Sequence, residues 1–201
     1  MKELVIYLHG KGGNVAEAEH YKPLFPGAAV IGFDYRAGTP WEACAEFPPY
    51  FESITAGYDR VTLIANSIGA FFAMNALSGA HVSRALFISP IVDMEALIKT
   101  MLGWANTTEE ELCRRGEIPT DFGEALSWNY LCYVREHPMD WNTPTKILYG
   151  ENDALTSPET IHAFAARHKA PLTVMPGGEH WFHTAEQMAF LDDWISASAA
   201  E

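Results

Sequence analysis

Positive charge is scarce in this sequence: 13 Lys and Arg stand against 26 Asp and Glu, a formal net charge of −13. Binding to a nucleic-acid backbone runs on Lys and Arg, so nucleic acid is not an expected partner, and anionic membrane surfaces are disfavoured for the same reason. The acidic balance would also mildly repel anionic substrates. Cysteine is scarce too. Cys44, Cys113 and Cys132 are odd in number and widely spaced, with no CxxC pair, which indicates neither a disulfide framework nor a zinc ribbon. No apolar run approaches the roughly 18 residues of a membrane span, so no membrane association is expected. The start, Met1-Lys2-Glu3-Leu4, has no basic leader region and no small-residue cleavage site before an apolar run begins. A cytoplasmic location is therefore the expectation. Repeats and low-complexity tracts are lacking as well.

What is present is an alternation. Short apolar, β-branched runs are separated by longer stretches of helical character, the pattern of a parallel sheet covered by helices. Six runs stand out, over residues 4–8, 28–33, 61–65, 85–88, 146–149 and 172–175. Helices are expected over 14–21, after residue 67, and over 184–196. The stretch 41–57 contains Pro48-Pro49, and proline ends or kinks a helix, so a bent or split helix is expected there. The rhythm breaks once. Between Pro90 and Thr145 only helix-like segments are read, over 93–102, 107–114 and 123–136. This is too long for a loop and too short for an independent domain. The reading is one domain over residues 1–201 with a helical insertion over 91–142.

Chemistry is marked at the strand ends, where open α/β sheets gather their functional groups. Acyl hydrolysis needs a nucleophile, a base that takes its proton, a group that holds the base, and donors for the oxyanion. Ser67 lies between the third run and a helix in Ala65-Asn66-Ser67-Ile68-Gly69, a small-x-Ser-x-Gly elbow whose sharp turn requires small neighbours. The bland alternative is a serine that only caps the helix. Asp153 follows the fifth run in Gly150-Glu151-Asn152-Asp153, and His180 follows the sixth in Gly177-Gly178-Glu179-His180. A helix-capping Asp and a loop histidine are their ordinary readings. All three at successive strand ends, in the order Ser, Asp, His, point instead to a catalytic triad.

On these residues the sequence resembles the α/β-hydrolase superfamily. His9-Gly10 resembles its His-Gly oxyanion motif, and Asp34-Tyr35-Arg36-Ala37-Gly38 resembles its Asp-x-Arg-Gly-x-Gly turn, with Ala37 where Gly is usual. The resemblance implies an α/β fold with a mostly parallel six-stranded sheet in the order 2-1-3-4-5-6, helices on both faces, and a helical lid formed by the insertion. It implies that the backbone N–H groups of Lys11 and Ile68 make the oxyanion hole. His9 would anchor its loop, and His9, Gly10, Asn66 and His183 are expected at the substrate-binding site. The family usually carries two further N-terminal antiparallel strands that are not seen here.

Rival assignments exist for each role. His183 competes with His180, which is preferred because it directly follows the Gly-Gly turn. Asp93 competes with Asp153, but Met94-Glu95-Ala96-Leu97 suits Asp93 as a helix cap. His180 and His183 without a third ligand make a weak metal signal, so neither metal nor cofactor is expected. The aromatics Trp104, Trp128, Tyr130, Tyr133 and Trp141 of the insertion could pack or could face an acyl or aryl group. The expected function is hydrolysis of a small carboxylic ester or thioester. Amide, peptide or C–C bond hydrolysis on the same triad, and a ligand-binding member without catalysis, stay open because fold does not fix substrate.

Overall fold

Five of the six residues of the first strand are buried, which a strand achieves only when both faces of its sheet are covered. The computed structural model describes residues 1–199. Its strands are β1 (Glu3–Leu8), β2 (Ala29–Gly32), β3 (Arg60–Asn66), β4 (Arg84–Ile88), β5 (Glu117–Pro119), β6 (Ala125–Ser127), β7 (Thr145–Gly150) and β8 (Leu172–Met175). Its α-helices are α1 (Pro40–Thr55), α2 (Ile68–Ala76), α3 (Met94–Trp104), α4 (Glu109–Arg115), α5 (Trp128–Glu136), α6 (Pro158–His168) and α7 (Ala185–Ala199). Six strands form one parallel sheet in the order β2-β1-β3-β4-β7-β8. This is the expected order, with β7 and β8 standing where the fifth and sixth runs were read.

Register explains the two faces. Tyr7 pairs with Ile64, Ile64 with Leu86, and Ile88 with Leu148, and these side chains share a cluster with Tyr21, Phe25, Leu191 and Ile195. That face is covered by α7 and by a 3₁₀ helix over Val15–Leu24. Side chains one residue out of phase point the other way, toward the side where α1 packs on α2. There Phe33, Tyr35, Phe47, Phe51 and Phe72 form a continuous aromatic cluster.

The chain divides into two compact units, one made of Met1–Val92 with the chain from Asp140 on, the other of Asp93–Met139. Within the second, α3 is capped by Asp93, whose carboxylate accepts from the Ala96 N–H at 2.9 Å. Helix α4 is capped by Thr108, with Glu109, Glu110 and Glu111 in its first turn. Arg135 of α5 pairs with Glu95 and Glu109.

Four expectations are corrected. The second unit is not all helical: β5 and β6 form an antiparallel hairpin, with Ile118 opposite Leu126 and both buried. Strands of three residues, one of them ending in Pro119, are too short to display alternation. The stretch around Pro48-Pro49, expected bent or split, is one continuous α-helix, so the split alternative is excluded. Both prolines lie on its exposed side, while Ala43, Phe47, Phe51 and Thr55 form a buried stripe at four-residue spacing that holds the helix to the core. The helix expected over 14–21 is 3₁₀ and runs on to Leu24. Trp141, read with the insertion, belongs to the first unit, where it is buried against Phe87 of β4.

No helix among the described residues is long and apolar enough to cross a membrane.

Candidate active site

Ser67 sits at φ 53° and ψ −120°, a conformation sparsely populated for a residue with a Cβ and held only where the surroundings over-determine it. They do so from two sides. The Ser67 N–H donates to the Ile88 carbonyl at 3.0 Å, and the Ser67 carbonyl accepts from the Ile91 N–H at 3.2 Å. The side chain makes no capping bond to α2, so the bland reading of Ser67 as a helix cap does not hold. The small residue at 69 is required: a Cβ on Gly69 would stand 2.5 Å from the His9 carbonyl oxygen, because the start of α2 rests on the end of β1.

The turns that carry Asp153 and His180 are joined by one backbone bond and one bond to a side chain. Asn152 N–H donates to the Gly178 carbonyl at 2.7 Å, and Gly177 N–H donates to Glu151 Oε2 at 2.8 Å. Asp153 thereby faces His180. Its side chain is fully buried, and such a carboxylate needs donors. Oδ1 accepts from the N–H groups of Leu155 and Thr156 at 2.8 and 3.1 Å, and Oδ2 lies 2.7 Å from His180 Nδ1. On the other side of the ring, His180 Nε2 lies 2.8 Å from Ser67 Oγ. A carboxylate only accepts, so Nδ1 carries the donated proton, and in the neutral ring Nε2 is then an acceptor for the serine hydroxyl.

The remaining expected residues fall into two groups. The loop from His9 to Gly13 runs beside the serine: a Cβ on Gly10 would stand 3.2 Å from Ser67 Cβ. Lys11 follows in that loop, which closes by a bond from the Gly13 N–H to the Gly10 carbonyl at 3.1 Å. Ile68 opens α2, where the first N–H groups have no partner within the helix. Asn66 ends β3, with its side chain near Gly10. The His9 ring stacks on Tyr35 at 4.3 Å between centroids, and its carbonyl accepts from the Tyr35 hydroxyl at 2.7 Å. His183 is turned elsewhere. Its ring stacks on Trp181, its Nδ1 lies 2.7 Å from the Trp181 carbonyl, and it faces Glu179 at 3.6 Å. His180, not His183, reaches Ser67.

Two supports escaped the sequence reading. Tyr35 holds the His9 carbonyl, and burial, with the charges of Glu17 and Glu46 adding, pushes its hydroxyl well above the usual phenol range, so it remains a donor. Glu46 in turn accepts from the N–H groups of Arg36 and Ala37, fastening the Asp34–Gly38 turn to α1. Thr156 is the second, three residues beyond Asp153. An Asp followed at two and three residues by N–H groups bonded to its own carboxylate is a local turn, and that spacing was the available signal.

A parallel sheet in this order, with a strained serine elbow after β3 and facing acid and histidine turns after β7 and β8, is the α/β-hydrolase fold. Comparison with known proteins agrees. Est1E from Butyrivibrio proteoclasticus superposes with a TM-score of 0.75 at 19% identity, over 98% of this chain and 86% of that one. That protein has also been solved with ferulic acid bound. Alpha/beta hydrolase domain-containing protein 10 from mouse gives a TM-score of 0.75 at 18% identity, over 97% of this chain and 88% of that one. By sequence, a Mycoplasma genitalium protein provisionally named esterase/lipase 3 is 26% identical over an alignment of 103 residues, 45% of this chain and 37% of that protein. This chain therefore spans little more than a third of the curated relative it matches. No family model matches the sequence.

Proposed function

We propose that this protein is a serine hydrolase that cleaves a carboxylic ester or thioester of modest size through an acyl-enzyme. One observation carries the reading: a single imidazole, His180, bridges Asp153 Oδ2 at 2.7 Å and Ser67 Oγ at 2.8 Å. In the mechanism this supports, Ser67 Oγ attacks the carbonyl carbon while His180 Nε2 takes its proton. Asp153 stays ionised, holds the ring in the required tautomer and balances the imidazolium that forms. The tetrahedral oxyanion rests on the backbone N–H groups of Ile68 and Lys11. His180 then protonates the leaving oxygen or sulfur, the acyl group remains on Ser67, and water activated by His180 releases it as the acid. His9 and Gly10 shape the oxyanion side, Asn66 borders the substrate's path, and the insertion over residues 91–142 is the proposed lid.

The choice of an ester is supported by the names of similar proteins: a carboxylic acid, ferulic acid, is the ligand of Est1E, and the Mycoplasma relative bears an esterase/lipase name. No disulfide joins the three cysteines, which fits a reducing compartment and supports a cytoplasmic location. The test is a panel of p-nitrophenyl esters of increasing acyl length beside the matching p-nitroanilides. Turnover of esters above the anilides, lost in Ser67→Ala, is the expected result. Turnover of anilides alone would move the substrate class to amides.

A further inference from the structure

We infer that Thr156 is a positioning residue that sets the separation between Ser67 and the Asp153–His180 pair. The inference rests on the reading of those three residues as the reacting set. Thr156 is 5% exposed, and each of its polar atoms is committed. Its N–H donates to Asp153 Oδ1 at 3.1 Å, its hydroxyl donates to the Pro90 carbonyl at 3.2 Å, and its carbonyl accepts from the Tyr149 hydroxyl at 2.7 Å. It thus ties the acid turn to β7 on one side and to the turn after β4 on the other.

That second turn, Ser89-Pro90-Ile91, is the one that grips the serine. The Ile91 N–H bonds the Ser67 carbonyl, and Ile88, just before the turn, bonds the Ser67 N–H. A circuit therefore closes on itself. From Ser67 Oγ it passes through His180 to Asp153, from Asp153 to Thr156, from Thr156 to Pro90, and from Ile91 back to Ser67. The turn is not relaxed by itself: Ser89 is at φ 43°, and its buried hydroxyl has no partner. Such a conformation persists only where outside bonds enforce it. The bonds to Leu148, Ser67 and Thr156 are those enforcers. Without the Thr156 hydroxyl, the Pro90 carbonyl loses its partner and the turn can relax. The serine then drifts from the imidazole although every reacting group is still present.

The experiment compares Thr156→Val, which keeps the shape and removes the hydroxyl, with Thr156→Ser, which keeps the hydroxyl. Each is titrated with a fluorophosphonate so that rates refer to reactive sites, and steady-state kinetics follow on an ester that the unaltered protein turns over. Thr156→Val should lower kcat about tenfold or more with KM little changed, since misplacement of about 1 Å can cost a hundredfold. Thr156→Ser should restore the rate to within about twofold. If Thr156→Val does not fold, Tyr149→Phe, which releases the Thr156 carbonyl, should show the same split between kcat and KM. Full kcat per titrated site in the variants, with only the melting temperature lowered, would overturn the positioning role and leave the triad reading intact. A fully folded parent protein that takes up no probe would overturn both.

Discussion

Gly150 and Gly178 lie back to back: a Cβ placed on Gly150 would stand 2.7 Å from both the carbonyl carbon and the carbonyl oxygen of Gly178, and would collide with the Glu179 carbonyl. The two turns that bear Asp153 and His180 meet through this bare contact. In Gly150→Ala the turns must separate, a strain of roughly 1–3 kcal/mol. We expect a melting temperature lower by several degrees and a loss of roughly a hundredfold in kcat/KM. Gly103→Ala in α3 is the control, because a Cβ there meets nothing within 4 Å. Removing a glycine from the last turn of a helix should leave stability unchanged or raise it by up to roughly 0.5 kcal/mol, read by denaturant titration.

The elbow makes a prediction about stability rather than rate. Ser67 holds φ 53° with a Cβ, and glycine adopts such angles without the steric cost. Both Ser67→Ala and Ser67→Gly should be inactive. Of the two, Ser67→Gly should be the more stable, by about 1 kcal/mol or more, because it alone relieves backbone strain of roughly 1–3 kcal/mol. A Ser67→Gly less stable than Ser67→Ala by roughly 0.4–1 kcal/mol, the cost of glycine's extra freedom in the unfolded chain, would mean that the turn stores no strain.

Asp153→Asn keeps the shape of the acid but puts an amide where the carboxylate accepts from His180 Nδ1. The ring is then free to take the other tautomer, with the proton on the nitrogen that faces Ser67 Oγ, 2.8 Å away. In serine hydrolases with this arrangement such a change costs roughly ten-thousandfold in kcat. Single-turnover acylation rates should fall by that order while the melting temperature moves little.

Much of this arrangement was legible from residues alone. The strands of the main sheet are four to seven residues long, and β1, β7 and β8 end in glycine or run into the His-Gly and Gly-Gly turns. Ser67, after β3, was marked by the small residues Ala65 and Gly69 around it, and from those turns Asp153 and His180 could be located at strand ends. The hairpin β5–β6 could not: one buried residue per strand, Ile118 and Leu126, shows no period. The continuity of the helix through Pro48-Pro49 was hidden because the prolines argue against it locally and only tertiary burial of Phe47 and Phe51 decides for it. The supports from Tyr35 to His9 and from Thr156 to Pro90 span 26 and 66 residues. Contacts that distant leave no local pattern.

Tyr149 links the site to alkaline stability. Burial, with Asp153 and Glu159 nearby adding, pushes its hydroxyl up to about 12, against roughly 10 in an unfolded chain. The native state therefore keeps a proton that the unfolded state releases. Its contribution is complete below pH 10 and is lost as pH rises from there through about 12. Unfolding free energy should be level up to about pH 9 and fall above pH 10, with a shallower fall in Tyr149→Phe. The buried Tyr7, Tyr21 and Tyr35 and the half-buried Tyr130 are raised as well and add to the same slope.

The most direct test of the central claim, that Ser67 is an activated nucleophile, is peptide mass spectrometry of the folded protein after exposure to a fluorophosphonate. One phosphonyl group on Ser67, absent from Ser67→Ala and acquired far more slowly by His180→Ala, is the predicted result. An unmodified Ser67, or equal modification with and without His180, would contradict the account.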